Sequence, residues 1–393
     1  MIRPSEVLIL LVGLATTIIA RDQDLFLSGN WQWKFFQAIF NERRNIVTSP
    51  FTLHMGMTLM ASTVNDRYTL RQMRDKLHLE ENMAKTIELY RRQLSILSRN
   101  EALAFGTKAF AIGTDEFSPA FESGAYNLNA SIQRDPWMDT ARLINDANEW
   151  AKLTTSGRID SILLPRDLNP NTRFILLNAI AFRGEWENQF DVANSRQEKF
   201  HATGDSKFYM AKMMRLQQTL FPMAVYEPLK SLALELPFRD DDFSMVLILP
   251  QMGVNLTQLV GNLNQTSFRE LYSSLTPTKI AVKIPRISIR NTVNVNAIFR
   301  KLQLTAPFEW SVFQVFKNER LSLDKVKHSV SLEVDEKGVR AAAVSAVSMV
   351  IRSEAPSFSA DRPFVYAVIK KSQQFPLFIG NYAFPIGETP LPV

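Results

Sequence analysis

The chain has 393 residues, 46% of them hydrophobic and 21% charged, which excludes a largely disordered protein and provides for a sizeable core. Its net charge of +6 is spread along the chain without a nucleic-acid-binding motif, so we expect a solvated surface and no nucleic-acid partner. The absence of cysteine excludes disulfides, thiolate metal sites and thiol nucleophiles. No Gly/Ser-rich or Pro-rich linker divides the chain, and we predict a single domain over residues 21–393.

The first twenty residues have the pattern of a secretory signal peptide. Arg3 opens a short positive region, residues 7–20 are almost wholly apolar, and the small Ala20 precedes the polar Arg21. About 14 apolar residues are too few to cross a bilayer comfortably, which argues against the alternative of a membrane anchor. We therefore predict a signal peptide over 1–20 and a secreted, extracellular protein. Three N-glycosylation triplets, which begin at Asn129, Asn255 and Asn264, fit a secreted glycoprotein, although each could arise by chance.

Hydrophobic periodicity predicts helices first and strands later. Three- and four-residue spacing indicates helices over 31–40, 69–79, 87–97 and 141–153, and Gly157 lies just past the last of them as a stop signal. Strands are predicted over 174–182, 280–284, 330–334, 364–369 and 376–382, and as a hairpin of 232–236 and 243–249 around the acidic residues 240–242. This order favours an α+β fold over a wound parallel sheet.

The residues give no sign of catalytic or metal chemistry. His54, His78, His201 and His328 are not at metal-ligand spacing, and no Gly-x-Ser-x-Gly or phosphate-binding loop is present. The acidic residues 240–242 are interpreted as a solvated turn rather than a cation site. We therefore expect neither metal nor cofactor and disfavour an enzyme, although paired carboxylates could still meet in space.

One segment near the C-terminus is chemically unusual. Residues 341–351 contain no charge, proline or glycine, and the bond Arg352–Ser353 follows them. Such a segment is too apolar for a linker, and its side chains are small for a core helix, although a tight helix interface stays an alternative. As a strand it is consistent, because one face is uncharged and no proline interrupts the hydrogen bonds. That face holds Val339, Ala341, Ala343, Ser345, Val347 and Met349.

Residues 333–343, Glu-Val-Asp-Glu-Lys-Gly-Val-Arg-Ala-Ala-Ala, resemble the hinge signature of the serpins, a superfamily of serine protease inhibitors. Further segments are similar to serpin motifs in the family's order, and together they cover nearly the whole chain after residue 20. They are 45–51, 145–159, 177–190, 234–238, 284–286, 362–364 and 378–380. Val339 and Arg340 stand where the family usually has Thr and Glu, and neither change forbids the segment from entering a sheet.

The resemblance implies the serpin fold, in which N-terminal helices pack on large mixed and antiparallel sheets beneath an exposed reactive-centre loop, here about 337–358. It implies an inhibitor that is cut by its protease and traps it covalently while the cut loop inserts into a sheet. By the family's spacing the cut follows Arg352, before Ser353, which suits a trypsin-like protease. A solvated loop arginine at 352, or bait for a chymotrypsin- or elastase-like enzyme at 349–351, are the alternatives. The implied hinge residues are Glu336, Gly338, Val339, Arg340, Ala341, Ala342 and Ala343.

Other positions carry roles implied by the same resemblance. Ser49, Asn178 and His328 resemble a buried polar cluster where the sheet opens, and we expect it to be hydrogen-bonded. Trp186 resembles the tryptophan below the loop's entry point.

Weak heparin or glycosaminoglycan binding is implied for a basic helix with Arg67, Arg71, Arg74 and Lys76, although an ordinary solvated helix face is the alternative. We expect a monomer without a membrane partner, and a non-inhibitory serpin that acts as a carrier or chaperone is the second hypothesis.

Overall fold

The predicted N-terminal helices are present, with somewhat different ends. The structure, a computed structural model, describes residues 31–202, 208–240, 242–336 and 356–385. Six helices precede residue 160 in this part of the chain: α1 (Trp31–Ile39), α2 (Pro50–Ala61), α3 (Arg67–Leu77), α4 (Met83–Leu97), α5 (Pro119–Asn127) and α6 (Thr140–Thr154). Their ends follow from local chemistry. Asp139 caps α6 by accepting a hydrogen bond from the Arg142 amide, and Gly157, with φ +80°, lies just after its end.

The expected separation of helices from later strands holds only in part. Three strands lie between the first helices, β1 (Ile46–Thr48), β2 (Leu103–Ile112) and β3 (Ala130–Asp135), and four short helices lie among the later strands. These are α7 (Leu256–Asn262), α8 (Gln265–Ser273), α9 (Asn296–Lys301) and α10 (Ala306–Glu309). β3 is an edge strand with polar residues, so it lacks the apolar run that marks a buried strand. The class is nevertheless α+β, as predicted.

A five-stranded sheet forms one layer of the molecule. Its order is β10–β11–β4–β2–β3, which adds β4 (Phe174–Arg183), β10 (Ile287–Asn294) and β11 (Lys325–Val334) to the strands above. β4 and β11 are parallel neighbours, in register from Ile175 with Lys325 to Arg183 with Glu333, whereas β10 pairs antiparallel with the other edge of β11. β4 is buried at every position except Arg183, because α2 packs on one face of it and α6 on the other.

A second sheet holds the remaining strands. Its order is β1–β14–β13–β8–β7–β6–β9–β12, and β5 pairs with β6. The strands are β1 (Ile46–Thr48), β5 (Arg196–His201), β6 (Phe208–Tyr226), β7 (Ser231–Pro237), β8 (Phe243–Pro250), β9 (Thr276–Pro285), β12 (Ser357–Ser359), β13 (Phe364–Lys370) and β14 (Phe375–Tyr382). The predicted hairpin of β7 and β8 is confirmed.

Three apolar clusters hold these layers together. The largest joins α1–α5 to both sheets, a second lies between α7, α8 and the strands β7, β8 and β13, and a third lies under α6 on the five-stranded sheet. Within the described ranges, no helix is long and apolar enough to cross a bilayer.

Candidate functional site

The chain leaves the five-stranded sheet at the end of β11 and returns in the other sheet. Glu336 is the last described residue before this interval, and Pro356 is the first one after it. Ser357 and Phe358, which the sequence assigns to the end of the reactive-centre loop, already belong to β12, where Phe358 is buried against the core. Several predicted site residues lie outside the described residues: Gly338, Val339, Arg340, Ala341, Ala342, Ala343, Arg352 and Ser353.

Glu336 anchors the start of this interval. Its side chain is fully buried, one carboxylate oxygen accepts from Arg286 Nε at 2.5 Å, and the other accepts from Ser195 Oγ at 2.6 Å. Burial raises the pKa of Glu336, but the bonds from Arg286 and Ser195 outweigh burial and hold this pKa below its usual value. The carboxylate is therefore charged at neutral pH and fixes the point at which the chain leaves β11.

Ser49, Asn178 and His328 meet at the junction of β4 and β11. His328 and Asn178 are register partners across the two strands, and the Ser49 amide, just before α2, donates to His328 Nε2 at 3.0 Å. Asn178 Oδ1 accepts from Thr107 Oγ1 of β2 at 2.9 Å, a partner that the sequence did not reveal. The cluster thus links α2 to three neighbouring strands.

The protonation state of His328 follows from this geometry. Burial lowers the pKa of His328 to about 3, and Nε2 accepts a hydrogen bond, so the neutral ring carries its proton on Nδ1. Among the described residues, Ser49 Oγ, Asn178 Nδ2 and His328 Nδ1 have no protein partner. The hydrogen bonding expected for this cluster is therefore present in part, through His328 Nε2 and Asn178 Oδ1.

Trp186 lies just beyond the end of β4. It is 2% exposed and stacks on Phe238 with ring centroids 4.7 Å apart, while Phe190 contacts its edge. The aromatic group closes the end of the sheet from which the chain emerges after β11, since Arg183 and Glu333 are register partners there.

The histidines do not form a metal site. His54 is half-buried, and desolvation lowers its pKa to about 4, while its ring bonds the Tyr90 hydroxyl and the Leu77 carbonyl. It joins α2 to α3 and α4 as a neutral residue. The structure contains no cluster of three or more His, Asp or Glu side chains suited to a metal within the residues that it describes.

The basic residues of α3 do not all share a face. At about 100° per residue, Arg67, Arg71 and Arg74 lie on one side of the helix and Lys76 on the opposite side. Arg67 and Arg71 are exposed, whereas Arg74 donates to the Glu81 carbonyl and Lys76 donates to Gln303 Oε1 at 2.8 Å.

The three glycosylation triplets differ in exposure. Asn129 is exposed in a turn with φ 50°, and Asn255 is exposed at the start of α7. Asn264 is half-buried and forms a capping box with Ser267 at the start of α8, with its amide nitrogen 3.3 Å from the Asn262 carbonyl.

The comparison with protein families decides the class of this molecule. The family described as Serpin (serine protease inhibitor) matches residues 28–385. The chain belongs to the serpin family. Serpins act as protease inhibitors rather than as enzymes, and this serpin has the α+β fold with mixed sheets that the sequence predicted.

Relatives of this serpin span nearly its whole length. Serpin B8 of Bos taurus is 30% identical and the match covers 87% of this chain and 93% of that protein. Intracellular coagulation inhibitor 2 of Tachypleus tridentatus is 28% identical over 87% of this chain and 86% of its own. The fold is similar to that of the native thermophilic serpin tengpin, with TM-score 0.80, 22% identity and coverage of 91% and 93%. Native protease nexin-1 with heparin has TM-score 0.83, 21% identity and coverage of 93% and 99%.

Proposed function

We propose that this serpin is a secreted inhibitor of a trypsin-like serine protease. The protease cuts the chain after Arg352, and the segment before the cut enters the five-stranded sheet while the acyl-enzyme is still intact. The observation that carries the proposal is the parallel pairing of β11 with β4, directly ahead of an uncharged segment.

The topology of this sheet supports insertion at one place. A strand that follows β11 and turns back would run antiparallel to it, as in a hairpin. One edge of β11 is already occupied by β10, so the new strand would pair on the edge that faces β4. Because β4 and β11 are parallel, a strand antiparallel to one is antiparallel to both. Insertion would therefore replace one parallel pairing by two antiparallel ones, which are slightly more stable per residue.

The sequence of the segment suits this position. Residues 339–351 are longer than the stretch 325–333 over which β11 pairs with β4, and the alternating face from Val339 to Met349 is uncharged. Glu336 and Arg286 would hold the turn at the top of β11 while the cut segment folds back.

The proposed target follows from Arg352. A guanidinium at the bait position suits a protease pocket with a buried carboxylate, because the two groups form a charge-assisted, bidentate pair. Ser353 would become the N-terminus of the C-terminal fragment.

Incubation with trypsin tests the inhibitory mechanism. We expect a complex that survives SDS and a new N-terminus at Ser353, and we expect the variant Arg352→Ala to lose this complex. Cleavage of the wild-type chain without a complex would contradict the inhibitory mechanism and favour the carrier or chaperone hypothesis. A complex formed with elastase or chymotrypsin at 349–351, and not with trypsin, would contradict the proposed target class.

Two neighbouring substitutions test the insertion step. Val339→Arg places a charge on the face proposed to become buried, so we expect the variant to be cut like a substrate and to lose covalent trapping. Arg340 lies on the other face, and Arg340→Ala is the matched control that should keep trapping. Equal trapping by Val339→Arg and wild type would contradict insertion.

The proposed secretion rests on residues 1–20. When the full chain is expressed in a secretory cell, the protein recovered from the culture medium should begin near Arg21. The exposed Asn129 and Asn255 are the proposed glycan sites, and Asn264 is disfavoured because its side chain is engaged in a cap. Removing the hydroxyl residue of each triplet, as in Ser131→Ala, Thr257→Ala and Thr266→Ala, tests each site without loss of the capping asparagines. Retention in the cytosol, without glycan, would contradict the proposal.

Weak glycosaminoglycan binding is proposed for the face of α3 that holds Arg67, Arg71 and Arg74. It is supported by the exposure of Arg67 and Arg71, and a neighbour in fold is known with heparin. Neutralising the three arginines should abolish retention on a heparin column at low salt, while Lys76→Met, on the opposite side, should not. Retention unchanged by the triple substitution would dismiss this face.

A further inference from the structure

The connection between α6 and β4 crosses the junction of β4 and β11, which we call the seam. The C-terminal end of α6 lies over β2, because a Cβ built on Gly106 would be 2.8 Å from the Thr154 methyl group. Six residues later, Asp160 pairs with Arg290 of β10 at 2.8 Å. Since β4 and β11 lie between β2 and β10, the chain passes over both strands within this interval.

The connection crosses the seam again on its way back to β4. Asp167 pairs with Lys327 of β11 at 2.8 Å, and both side chains are nearly buried, with 11% and 8% exposed. The second carboxylate oxygen of Asp167 accepts from the Leu164 amide at 3.0 Å and fixes the short 3₁₀ turn Pro165–Asp167. The chain then enters β4 at Phe174.

The side of the connection toward α6 is held separately. Asn148 of α6 accepts from the amides of Ile162 and Leu163 and donates to the Leu163 carbonyl at 3.0 Å. Ile162 and Leu163 are also buried in the apolar cluster under α6. One segment is therefore tied to α6 by these contacts and to β10 and β11 by two ion pairs.

We infer that the ion pairs Asp160–Arg290 and Asp167–Lys327 hold the connection across the seam and set the rate at which the seam opens. This inference rests on the proposed insertion mechanism. Insertion of a strand between β4 and β11 would move β11 and β10 away from β4 by about 4.8 Å, the spacing of neighbouring strands. This distance exceeds the length of either ion pair. A connection fastened on both sides must release one of them. The four residues are positioning residues, because they do not contact the protease.

The rate of opening decides the outcome of the reaction. After the cut, insertion competes with hydrolysis of the acyl-enzyme by water. A tighter connection slows insertion and increases the share of inhibitor that is consumed as substrate, whereas a looser connection reduces this share but weakens the closed sheet.

Uptake of a synthetic peptide measures opening without a protease. The peptide has the sequence of residues 339–352 with a fluorophore, and its binding to the intact serpin is followed by anisotropy and on native gels. The variant Asp167→Asn with Lys327→Met removes both buried charges and keeps an oxygen for the Leu164 amide. We expect it to take up peptide at least about tenfold faster than wild type.

The exposed pair provides a second, milder variant with a matched control. Asp160→Asn with Arg290→Gln should accelerate uptake by about two- to fivefold, since an exposed pair contributes little. Glu116→Gln with Lys317→Met removes an ion pair of similar exposure elsewhere, with 70% and 48% exposed, and should leave uptake unchanged. The unfolding midpoints of all variants show whether a general loss of protein stability explains a faster peptide uptake.

A covalent link gives the opposite test. The chain has no cysteine, so Asp160→Cys with Arg290→Cys can be joined by a short bismaleimide without side products from other thiols. We expect the linked form to take up little peptide and to be cut by trypsin without trapping it. The same variant capped with a monofunctional maleimide also lacks the ion pair and should take up peptide as fast as Asp160→Asn with Arg290→Gln does.

The outcomes separate the two proposals. Unchanged uptake in both neutralised variants, or unchanged trapping by the linked form, would overturn the role of the ion pairs while insertion stands. If wild type takes up no peptide and traps no protease, the insertion mechanism fails and the role of the ion pairs fails with it.

Discussion

At the scale of single residues, Glu336 is the most constrained member of the site. It is a carboxylate without solvent contact, and its charge is compensated by one arginine and one hydroxyl group. A buried charge that loses its partner destabilises a protein strongly, although the effect is smaller here because Arg286 is 39% exposed. The anchoring of the chain after β11 therefore depends on a few atoms.

We expect Glu336→Gln to lower the free energy of unfolding by about 1–2 kcal/mol, since the ion pair is lost and the bond from Ser195 is weakened. Peptide uptake should become faster, because the top of β11 is less firmly held. Urea denaturation and the uptake assay measure both effects. Glu333→Gln, which changes a half-exposed glutamate near the end of β11, is the control. Equal stability of Glu336→Gln and wild type would show that the ion pair does not anchor the chain.

Acid should weaken the native protein through His54 and His328, which are neutral in the folded state. Burial lowers the pKa of His54 to about 4 and that of His328 to about 3, from the usual 6.5. Between pH 6.5 and about 4 the unfolded chain therefore binds two protons that the folded chain excludes. The free energy of unfolding should fall with decreasing pH by ~1.4 kcal/mol per pH unit for each histidine.

Denaturation midpoints measured from pH 7 to 4.5 test this dependence. His328→Gln should remove about half of the slope, whereas substitution of the exposed His201 should leave the slope unchanged. Glu336, whose pKa is depressed, adds a loss of stability only as the pH falls below its usual carboxyl range. A stability that does not vary between pH 6.5 and 4.5 would contradict the neutral state of the two histidines in the folded protein.

At the scale of elements, the contact of α2 with β4 is unusually close. A Cβ on Gly56 would be 2.9 Å from Asn178 Oδ1 and 3.3 Å from the Leu176 side chain. Gly56→Ala should therefore cost about 1–3 kcal/mol of stability, as overpacking does. Gly261→Ala in α7 is the matched control: its Cβ would meet nothing within 4 Å, so helix propensity should make the change neutral or slightly stabilising. Thermal unfolding measures both, and a neutral Gly56→Ala would refute the steric reading of this contact.

The sequence predicts elements well where one face is apolar or where a whole strand is buried. The run of β4 and the stripes of α3, α4 and α6 are of this kind. By contrast, α2 is buried nearly all round and lacks a polar face that would reveal its period. β3 is polar because it forms an edge of the sheet.

Within the site, the sequence likewise predicts the residues of local motifs but not the pairs between distant residues. The motif resemblance pointed to Ser49, Asn178 and His328, and the structure brings these together. The pairing of Glu336 with Arg286 joins residues 50 positions apart, and that of Asp160 with Arg290 joins residues 130 positions apart. Such pairs follow from topology and are not visible in local spacing, so neither was predicted.

At the scale of the whole molecule, the proposed mechanism requires that the intact form is not the most stable one. Cleavage after Arg352 should raise the thermal unfolding midpoint by at least about 10 °C. The added strand pairing should contribute a few kcal/mol, and each kcal/mol raises the midpoint of a large domain by about 2–4 °C. Scanning calorimetry of intact and clipped protein measures this difference. The clipped form of Val339→Arg should gain less. No gain in the clipped wild type would contradict insertion.

The placement of β11 and β12 in different sheets has a consequence for how the protein is used. If the chain is cut after Arg352 as proposed, one fragment ends beyond β11 and the other leads into β12, and insertion would draw the first one down the length of β11 while β12 stays paired with β9. Because the two ends would then lie far apart, the peptide bond could not be formed again, and each molecule would act once. The inhibitory capacity of a fluid would equal the number of intact copies in it, and supply, rather than turnover, would limit the response.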